Sequence, residues 1–324
     1  MSNFKFITHD NHDPRFNLAS EEYLLKHTKD YYIYLWVNAP SVIVGVNQNA
    51  IEEVNHAFVN ENDIKVIRRL TGGGAVYHDL NNLCYTVIAP YEEGENLYKK
   101  FSTPVIEYLN SLGVKAEFSG RNDISVNGMK ISGNAQTVFN GRVMHHGTLL
   151  FDSDLTVLEK ALKPNKLKMQ SKGIKSVRAR VTCIKEYLKS PMTLSEFKEG
   201  LCRFFLKTAE LYEFTKSDLK EINALKDGKY SDYAWNIGNS PKGKNVFEKK
   251  YAFGVLKFNF DTENGIIANP TITGDFFAVK DIKLFESKLN GIKFTKESLI
   301  DAFNDFSDYV SGADGREIAE DIFE

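Results

Sequence analysis

Asp123-Ile124-Ser125-Val126-Asn127-Gly128-Met129-Lys130-Ile131-Ser132-Gly133-Asn134-Ala135-Gln136-Thr137-Val138-Phe139-Asn140-Gly141-Arg142-Val143-Met144-His145-His146-Gly147-Thr148-Leu149-Leu150 is the stretch that decides the fold. Two Asn-Gly pairs lie between alternating apolar runs, and Asn-Gly accepts the positive φ angles of a two-residue hairpin turn. Residues 123 to 150 therefore read as a three-stranded meander. The first turn pairs Val126 with Met129, Ser125 with Lys130, Ile124 with Ile131 and Asp123 with Ser132. Ile124, Val126, Met129 and Ile131 then face the core, while Asp123, Ser125, Lys130 and Ser132 share the opposite face. Asp123 and Lys130 become diagonal neighbours, roughly 7 to 8 Å apart at the backbone, a span that a metal-bound triphosphate could bridge. A solvated surface pair of little energetic weight is the alternative. The second turn sets His145, His146, Gly147 and Thr148 beside Gly133, Asn134, Ala135 and Gln136. Without a bulge His146 pairs with Ala135 on the face opposite Lys130, so joint action of the two needs an irregularity, for which Gly133 is the expected place.

Working outward, Tyr31 to Val37, Ser41 to Val46, Ile64 to Arg69 and Leu83 to Ala89 are rich in Val, Ile, Tyr and Phe and read as strands. Pro14 to His27, Ile51 to Asn62 and Asn96 to Leu112 read as helices, the last closed by Gly113. In the first, Leu18 and Leu25 mark the buried side, and Glu21 and Glu22 point elsewhere. Asn236 to Lys250 gathers Gly238, Ser240, Pro241, Gly243 and four lysines. That composition divides the chain into residues 1–240, a linker at 241–250, and a small α+β unit at 251–324. The unit is built from strands Tyr251 to Phe260 and Gly265 to Thr273 and helices Ile282 to Leu289 and Lys296 to Phe306.

Bulk properties narrow the function. A chain of 324 residues with a formal net charge of −2 lacks the basic excess that draws proteins to nucleic acid or acidic membranes. No stretch approaches the length of a membrane span, and no secretory signal opens the chain, so a soluble, unexported protein is expected. Cys84, Cys183 and Cys202 have neither zinc-like nor redox-like spacing, which fits a reducing cytoplasm.

The chemistry concentrates in Arg68-Arg69-Leu70-Thr71-Gly72-Gly73-Gly74-Ala75-Val76-Tyr77-His78-Asp79. Consecutive glycines let the backbone turn sharply and bring bare amides close to a ligand. Alone they are a flexible turn; with two arginines, the Thr71 hydroxyl and the His78–Asp79 pair alongside, they suggest an acidic substrate. The Lys-Ser or Lys-Thr of a Walker loop and the dinucleotide glycine spacing are both absent. A second charged feature runs from Lys160 to Lys185, with nine Lys or Arg and no Asp or Glu; contact with phosphate or an acidic protein is the functional reading, a solvated face the bland one.

Taken in order, Arg68 to Asp79, Asn122-Asp123-Ile124, Lys130 to Gln136, His145 to Asp152, Lys175 to Thr182 and Tyr233 to Lys242 resemble lipoate–protein ligases of the biotin and lipoate ligase superfamily. The resemblance covers both parts of the chain. It implies an α+β fold with a large catalytic domain, a mixed β-sheet flanked by helices, and a small C-terminal accessory domain. It implies a two-step reaction, in which lipoate and Mg²⁺-ATP give lipoyl-AMP and pyrophosphate, and the lipoyl group passes to a lysine of an apo lipoyl domain, on an E2 subunit or an H protein. By motif position Lys130 is the catalytic residue, touching the lipoate carboxyl and the α-phosphate. Arg69, Thr71, Gly72, Gly73, Gly74, Val76, His78, Asn122, Ala135, His146 and Thr148 are the lipoyl-AMP residues, of which Asn122 and Ala135, together with Gln136, are second-tier. Arg69, Val76, Tyr77, Lys130, Ser176 and Arg178 are the nucleotide residues, and Asp123 is the Mg²⁺ candidate. Val76, Leu83, Tyr85 and Val87 could line an apolar slot for the acyl tail. A monomer in the cytoplasm, without nucleic-acid or membrane partners, completes the expectation. Three rivals stand beside it: acyl transfer through a cysteine, for which none of the three is well placed; biotin ligation, whose glycine loop has a different pattern; and a non-catalytic relative, which would have lost Lys130 or the glycines.

Overall fold

The structure, a computed structural model, describes residues 4–163, 180–238, 244–263 and 265–323. The first half follows the alternation of apolar runs closely. Strand β1 (Phe4–Thr8) leads into helix α1 (Pro14–Lys26), then β2 (Tyr31–Val37), β3 (Ser41–Val44), two short helices α2 (Ala50–Glu53) and α3 (His56–Glu61), β4 (Lys65–Arg68), β5 (Val76–His78), β6 (Asn82–Pro90) and α4 (Leu97–Ser111). The expected helix Ile51 to Asn62 is split because Val54 is extended, with φ −109° and ψ 137°, and bridges to Leu162, after which the Asn55 side chain caps α3. Strands β7 (Ala116–Ser119), β8 (Asp123–Val126), β9 (Met129–Phe139) and β10 (Arg142–Leu150) follow, then α5 (Leu155–Ala161), α6 (Leu194–Phe205), β11 (Ala209–Leu211) and α7 (Lys216–Leu225).

Eight strands form one sheet in the order β11-β1-β2-β6-β10-β9-β8-β7. β1 runs parallel to β11 and β2 and the remaining pairs are antiparallel, so the sheet is mixed, as expected. The meander at 123–150 is its far half, and both turns have Asn and Gly at positive φ (Asn127 50°, Gly128 77°, Asn140 46°, Gly141 73°). A separate three-stranded sheet, β4-β3-β5, carries the glycine-rich segment between β4 and β5.

Side-chain alternation divides the large sheet into two apolar faces. Ile33, Leu35, Leu83, Tyr85 and Val87 pack under α4 and α6 with Val105, Leu109 and Phe197. Tyr34, Trp36, Cys84, Ile88 and Met144 pack under α1 with Leu18 and Leu25. Glu21 and Glu22 do not point away from this core; they are 1% and 4% exposed. A single apolar stripe presumes one buried side, but α1 lies between the sheet and the segment from α7 to Gly238, so its flanks are buried as well. Glu22 is paired there with Lys229 at 2.8 Å and Lys26 at 2.9 Å and accepts from the Tyr230 hydroxyl at 2.8 Å.

The C-terminal part has its own sheet, β12 (Asn245–Tyr251), β13 (Gly254–Glu263) and β14 (Ile266–Gly274), covered by α8 (Ile282–Leu289), α9 (Lys296–Phe303) and α10 (Gly315–Phe323). Its core is separate, built on Phe258, Phe276, Phe285, Phe303 and Phe306. Residues 245–250, expected as linker, lie in strand β12, which pairs with β13 and turns Phe247 and Tyr251 onto the C-terminal core while Val246 faces solvent.

Arg142, just past the second turn, ties the meander to α1. Its Nη1 donates to the carbonyls of Leu24, Leu25 and Thr28 at 2.9, 2.7 and 2.6 Å, capping the carbonyls at the end of the helix. Arg142→Ala should lower unfolding free energy by about 2 kcal/mol, the scale of losing charge-assisted bonds at a partly buried site. Denaturant midpoints at constant m-value measure this, and a change below about 0.5 kcal/mol would rule the cap out as a stabilising contact.

Candidate active site

The hairpin β8–β9 is bulged. Val126 pairs with Met129 and Ser125 with Lys130 as expected, but the register then shifts, and Ile124 pairs with Ser132 and Asp123 with Gly133. Ile131 is the extra residue, so the irregularity falls two residues before its expected place at Gly133. One inserted residue reverses the face of every later side chain. Ser132, and Ser125 beside it, are buried rather than sharing an outer polar face. Lys130 instead lies across Gly133, where a Cβ would come within 2.7 Å of Nζ, and its ammonium meets Asp123 Oδ1 at 2.8 Å. Gly133 and Ala135 share a face, and His146 pairs with Ala135, so the bulge brings Lys130, Asp123 and His146 to one side of the sheet. The Lys130 carbonyl accepts from Thr182 N at 3.0 Å, which returns the chain to this hairpin after α5.

On the same face a buried polar chain runs out from α1. Glu21 Oε1 lies 2.9 Å from His146 Nδ1 and accepts from Thr86 Oγ1 at 2.6 Å, and Trp36 Nε1 donates to that hydroxyl at 2.9 Å. A carboxylate only accepts, so His146 Nδ1 carries the proton. His146 Nε2 then faces the Thr71 hydroxyl at 2.8 Å, which itself accepts from Arg69 Nε at 2.9 Å. The order Glu21, His146, Thr71, Arg69 links the first helix, the meander and the glycine loop in one buried line.

The two arginines, expected as cations offered to a ligand, hold much of the protein's own backbone. Arg68 is 4% exposed and donates to the carbonyls of Trp235, Gly45, Val46, Gln48 and Asn236, so it fastens the loop before α2 to the 234–238 turn. Arg69 is 5% exposed and donates to Ile43 O at 3.0 Å, Gly72 O at 2.6 Å and Gly74 O at 2.9 Å. Burial pushes both guanidinium groups down to about 10, which leaves them charged at neutral pH. Because the Gly72 and Gly74 carbonyls turn inward to Arg69, the loop is held open by a charge inside it.

His78 is buried; its Nδ1 lies 3.0 Å from Asn38 Nδ2, and its Nε2 meets no hydrogen-bond partner among the described residues. Burial, with Arg69 and His146 nearby, pushes it down to about 3, so the ring is neutral and Nε2 is a buried donor without an acceptor among the described residues. Asp79 does not act with it: its carboxylate accepts from the amides of Asn81 and Asp154 and shapes the turn before β6. His145 belongs to the other face, between Tyr85 and Gln136, and burial pushes it down to about 3.

The remaining expected residues divide by strand parity. Val76 flanks the α1-side core, whereas the Tyr77 ring packs among Val42, Val54 and Val59, away from the glycine loop. Leu83, Tyr85 and Val87 lie on the α4 side, away from Glu21 and His146, whereas Trp36, Ile43, Ile67 and Cys84, with Val76 against them, pack in the α1-side core. Thr148 Oγ1 accepts from Gly133 N at 3.3 Å, and Asn122 and Asn134 exchange bonds with each other's backbone carbonyls, fixing the bulged hairpin. Ser176 and Arg178 lie outside the described residues, as does most of the basic run. Among the described residues no cluster of three His, Cys, Asp or Glu side chains could hold a metal ion by itself. Of the residues that the sequence pattern does not single out for the site, Glu21, Thr86 and Asn38 matter most; the acidic pair Glu21-Glu22 in mid-helix is the available signal.

Residues 13–206 match the lipoyl protein ligase A/B catalytic domain, and residues 240–322 the bacterial lipoate protein ligase C-terminus. The chain is 44% identical to the lipoate-protein ligase LplJ of Bacillus subtilis, over 91% of this chain and 92% of that one. Among solved structures it resembles Plasmodium falciparum LipL1 in complex with lipoate, with a TM-score of 0.78 at 28% identity over 99% and 98% of the two chains. A lipoate-protein ligase A bound with ATP superposes with a TM-score of 0.64 at 26% identity, over 73% of this chain and 99% of that one. With both of its parts matched and its glycine loop and bulged hairpin set against each other in one site, the chain belongs to the lipoate–protein ligase family.

Proposed function

We propose that this protein is an ATP-dependent lipoate–protein ligase that makes lipoyl-AMP and transfers the lipoyl group to the lysine of an apo lipoyl domain, on an E2 subunit or an H protein. The observation that carries this reading is the bulge at Ile131, which sets Lys130 and Asp123 on the same side of the sheet as His146 and the glycine loop. A carboxylate held near the loop and a nucleotide held near Lys130 would therefore meet.

In the first step a lipoate carboxylate oxygen attacks the α-phosphorus of ATP, the bond to the bridging oxygen breaks, and pyrophosphate leaves. Lys130 can touch both the carboxylate and the α-phosphate, and a fixed cation stabilises the charge that builds there without reorganising. In the second step a lysine amine attacks the carbonyl of the mixed anhydride, AMP leaves, and the same cation serves the departing phosphate. Arg69, through Thr71 and the loop carbonyls, fixes the acyl end, and the free Nε2–H of His78 is available to an acceptor on the substrate. Bound together with the nucleotide, Mg²⁺ would supply neutralisation of triphosphate charge, with Asp123 the residue to hold it. Asp123 suits it as a single protein ligand, in keeping with an ion that takes one or two carboxylates and completes its shell with phosphate oxygens and water. No helix among the described residues is long and apolar enough to cross a membrane. We place the enzyme in the cytoplasm, as a monomer.

The direct test is incubation with lipoate, ATP, Mg²⁺ and an apo lipoyl domain, following mass gain on the domain. Gain that requires ATP is expected; gain without it would mean acyl transfer instead. Lys130→Ala should lower lipoate-dependent ATP–pyrophosphate exchange at least about 10-fold to 100-fold, on the scale of one charge-assisted bond of about 1.5 to 3 kcal/mol. Near wild-type exchange in that variant would remove Lys130 from the chemistry. Glu21→Gln deletes the charge that orients His146, and about a 10-fold loss of exchange is expected, at most about 1.4 kcal/mol of positioning. A variant that folds normally and exchanges at the wild-type rate would reduce the Glu21 chain to a packing device.

A further inference from the structure

The glycine loop has a second neighbour that the sequence reading did not give it. Between β14 and α8 the C-terminal domain sends Phe276 and Phe277 across the loop. The amide of Gly73, at φ +90°, faces Phe276 O at 3.4 Å. Gly72 has no positive φ, yet a Cβ on it would come within 2.4 Å of Phe276 O and 3.2 Å of Phe277 Cα. Phe276 is rooted in the C-terminal core, whereas the half-buried Phe277 ring leaves that core and reaches the catalytic domain. A Cβ on Gly73 would sit 3.1 Å from Phe277 Cζ and 3.1 Å from Arg69 Nη2, so ring and guanidinium bracket this residue from two sides. The Arg121 guanidinium, from the turn between β7 and β8, lies over the Phe277 ring at 4.5 Å, and Tyr98 meets the ring edge-on at 6.0 Å.

Other contacts hold the two domains in register around this point. Gly274 N donates to Asn47 O at 2.8 Å, Arg121 Nη1 donates to Phe253 O at 3.1 Å, and Lys257 pairs with Glu52 at 2.6 Å. The domain contact therefore takes in the glycine loop and the β7–β8 turn together with Asn47 and Glu52.

We propose that Phe277 is a positioning residue of the active site supplied by the C-terminal domain, and that Gly72 lacks a side chain so that the Phe276–Phe277 segment can dock. This rests on the ligase reading given above. Arg69 holds the loop from inside through its carbonyls, and Phe277 closes it from outside, so the loop that receives the acyl group is complete only with the C-terminal domain in place.

The test uses the full chain. Phe277→Ala should raise the KM for lipoate in pyrophosphate exchange at least about fivefold, with kcat within about threefold of wild type and an unchanged melting temperature, because the ring positions the loop without touching the reacting atoms. Phe277→Tyr keeps the ring and should restore KM to within about twofold. Docking is read separately by a carbodiimide, which activates the Glu52 carboxylate for attack by the adjacent Lys257 amine; an amide forms, the reagent leaves as its urea, and the 52–257 cross-link is quantified by peptide mass spectrometry. Gly72→Ala should cut that cross-link at least about fivefold, since the added Cβ cannot coexist with Phe276 O. An unchanged KM in Phe277→Ala, failure of tyrosine to rescue it, or an undiminished cross-link in Gly72→Ala each overturns the proposal. Absence of any lipoate-dependent exchange in the wild-type protein would instead overturn the ligase reading, and the cross-link would still report on docking.

Discussion

A buried guanidinium organises this molecule. Arg69 has almost no access to water, and its donors go to Ile43, to the Thr71 hydroxyl, and to the carbonyls of Gly72 and Gly74. A desolvated charge is tolerable only where its hydrogen bonds are all made, so the strand β3, the loop and Thr71 have one arrangement relative to each other. Thr71 passes that constraint to His146, and His146 to Glu21 in the first helix. The loop is consequently stiff, although it is built from a run of glycines that would be slack in isolation.

The second constraint is a single inserted residue. Hairpin registers normally propagate from the turn, and the Asn127-Gly128 turn sets the first two pairs as it should. Ile131 enters the core between them and the rest of the strand, and the reversal of faces that follows is what joins Lys130 and Asp123 to the His146 side. Gly133 then accommodates the lysine, which lies where a side chain would have been. A regular hairpin of the same sequence would place the ammonium on one face and His146 on the other.

The two halves of the chain have separate hydrophobic cores, and contacts between them fall on the glycine loop, Asn47, Glu52 and the β7–β8 turn. Domains with their own cores can move relative to each other. Placing the contact on the glycine loop ties that freedom to the state of the site.

Much was legible in the sequence because it rests on local chemistry. The Asn-Gly turns, the strand runs, the proline that opens α1 and the glycine that closes α4 each follow from backbone preferences of the residues themselves, and helix α8 begins and ends where its pattern says. The residues around Lys130 and the glycine loop were recognisable as candidates from their types and spacing. What only the tertiary structure decided depends on partners far apart in the chain: the burial of Glu21 and Glu22, the face on which Leu83 and Cys84 separately lie, the enclosure of Arg68 by the 234–238 turn, and the strand at 245–250 that composition alone marks as linker. The physical reason is the same in each. Periodicity reports that a side chain alternates, but which side is buried, whether both are, and where one residue too many reverses the count are set by what packs against it.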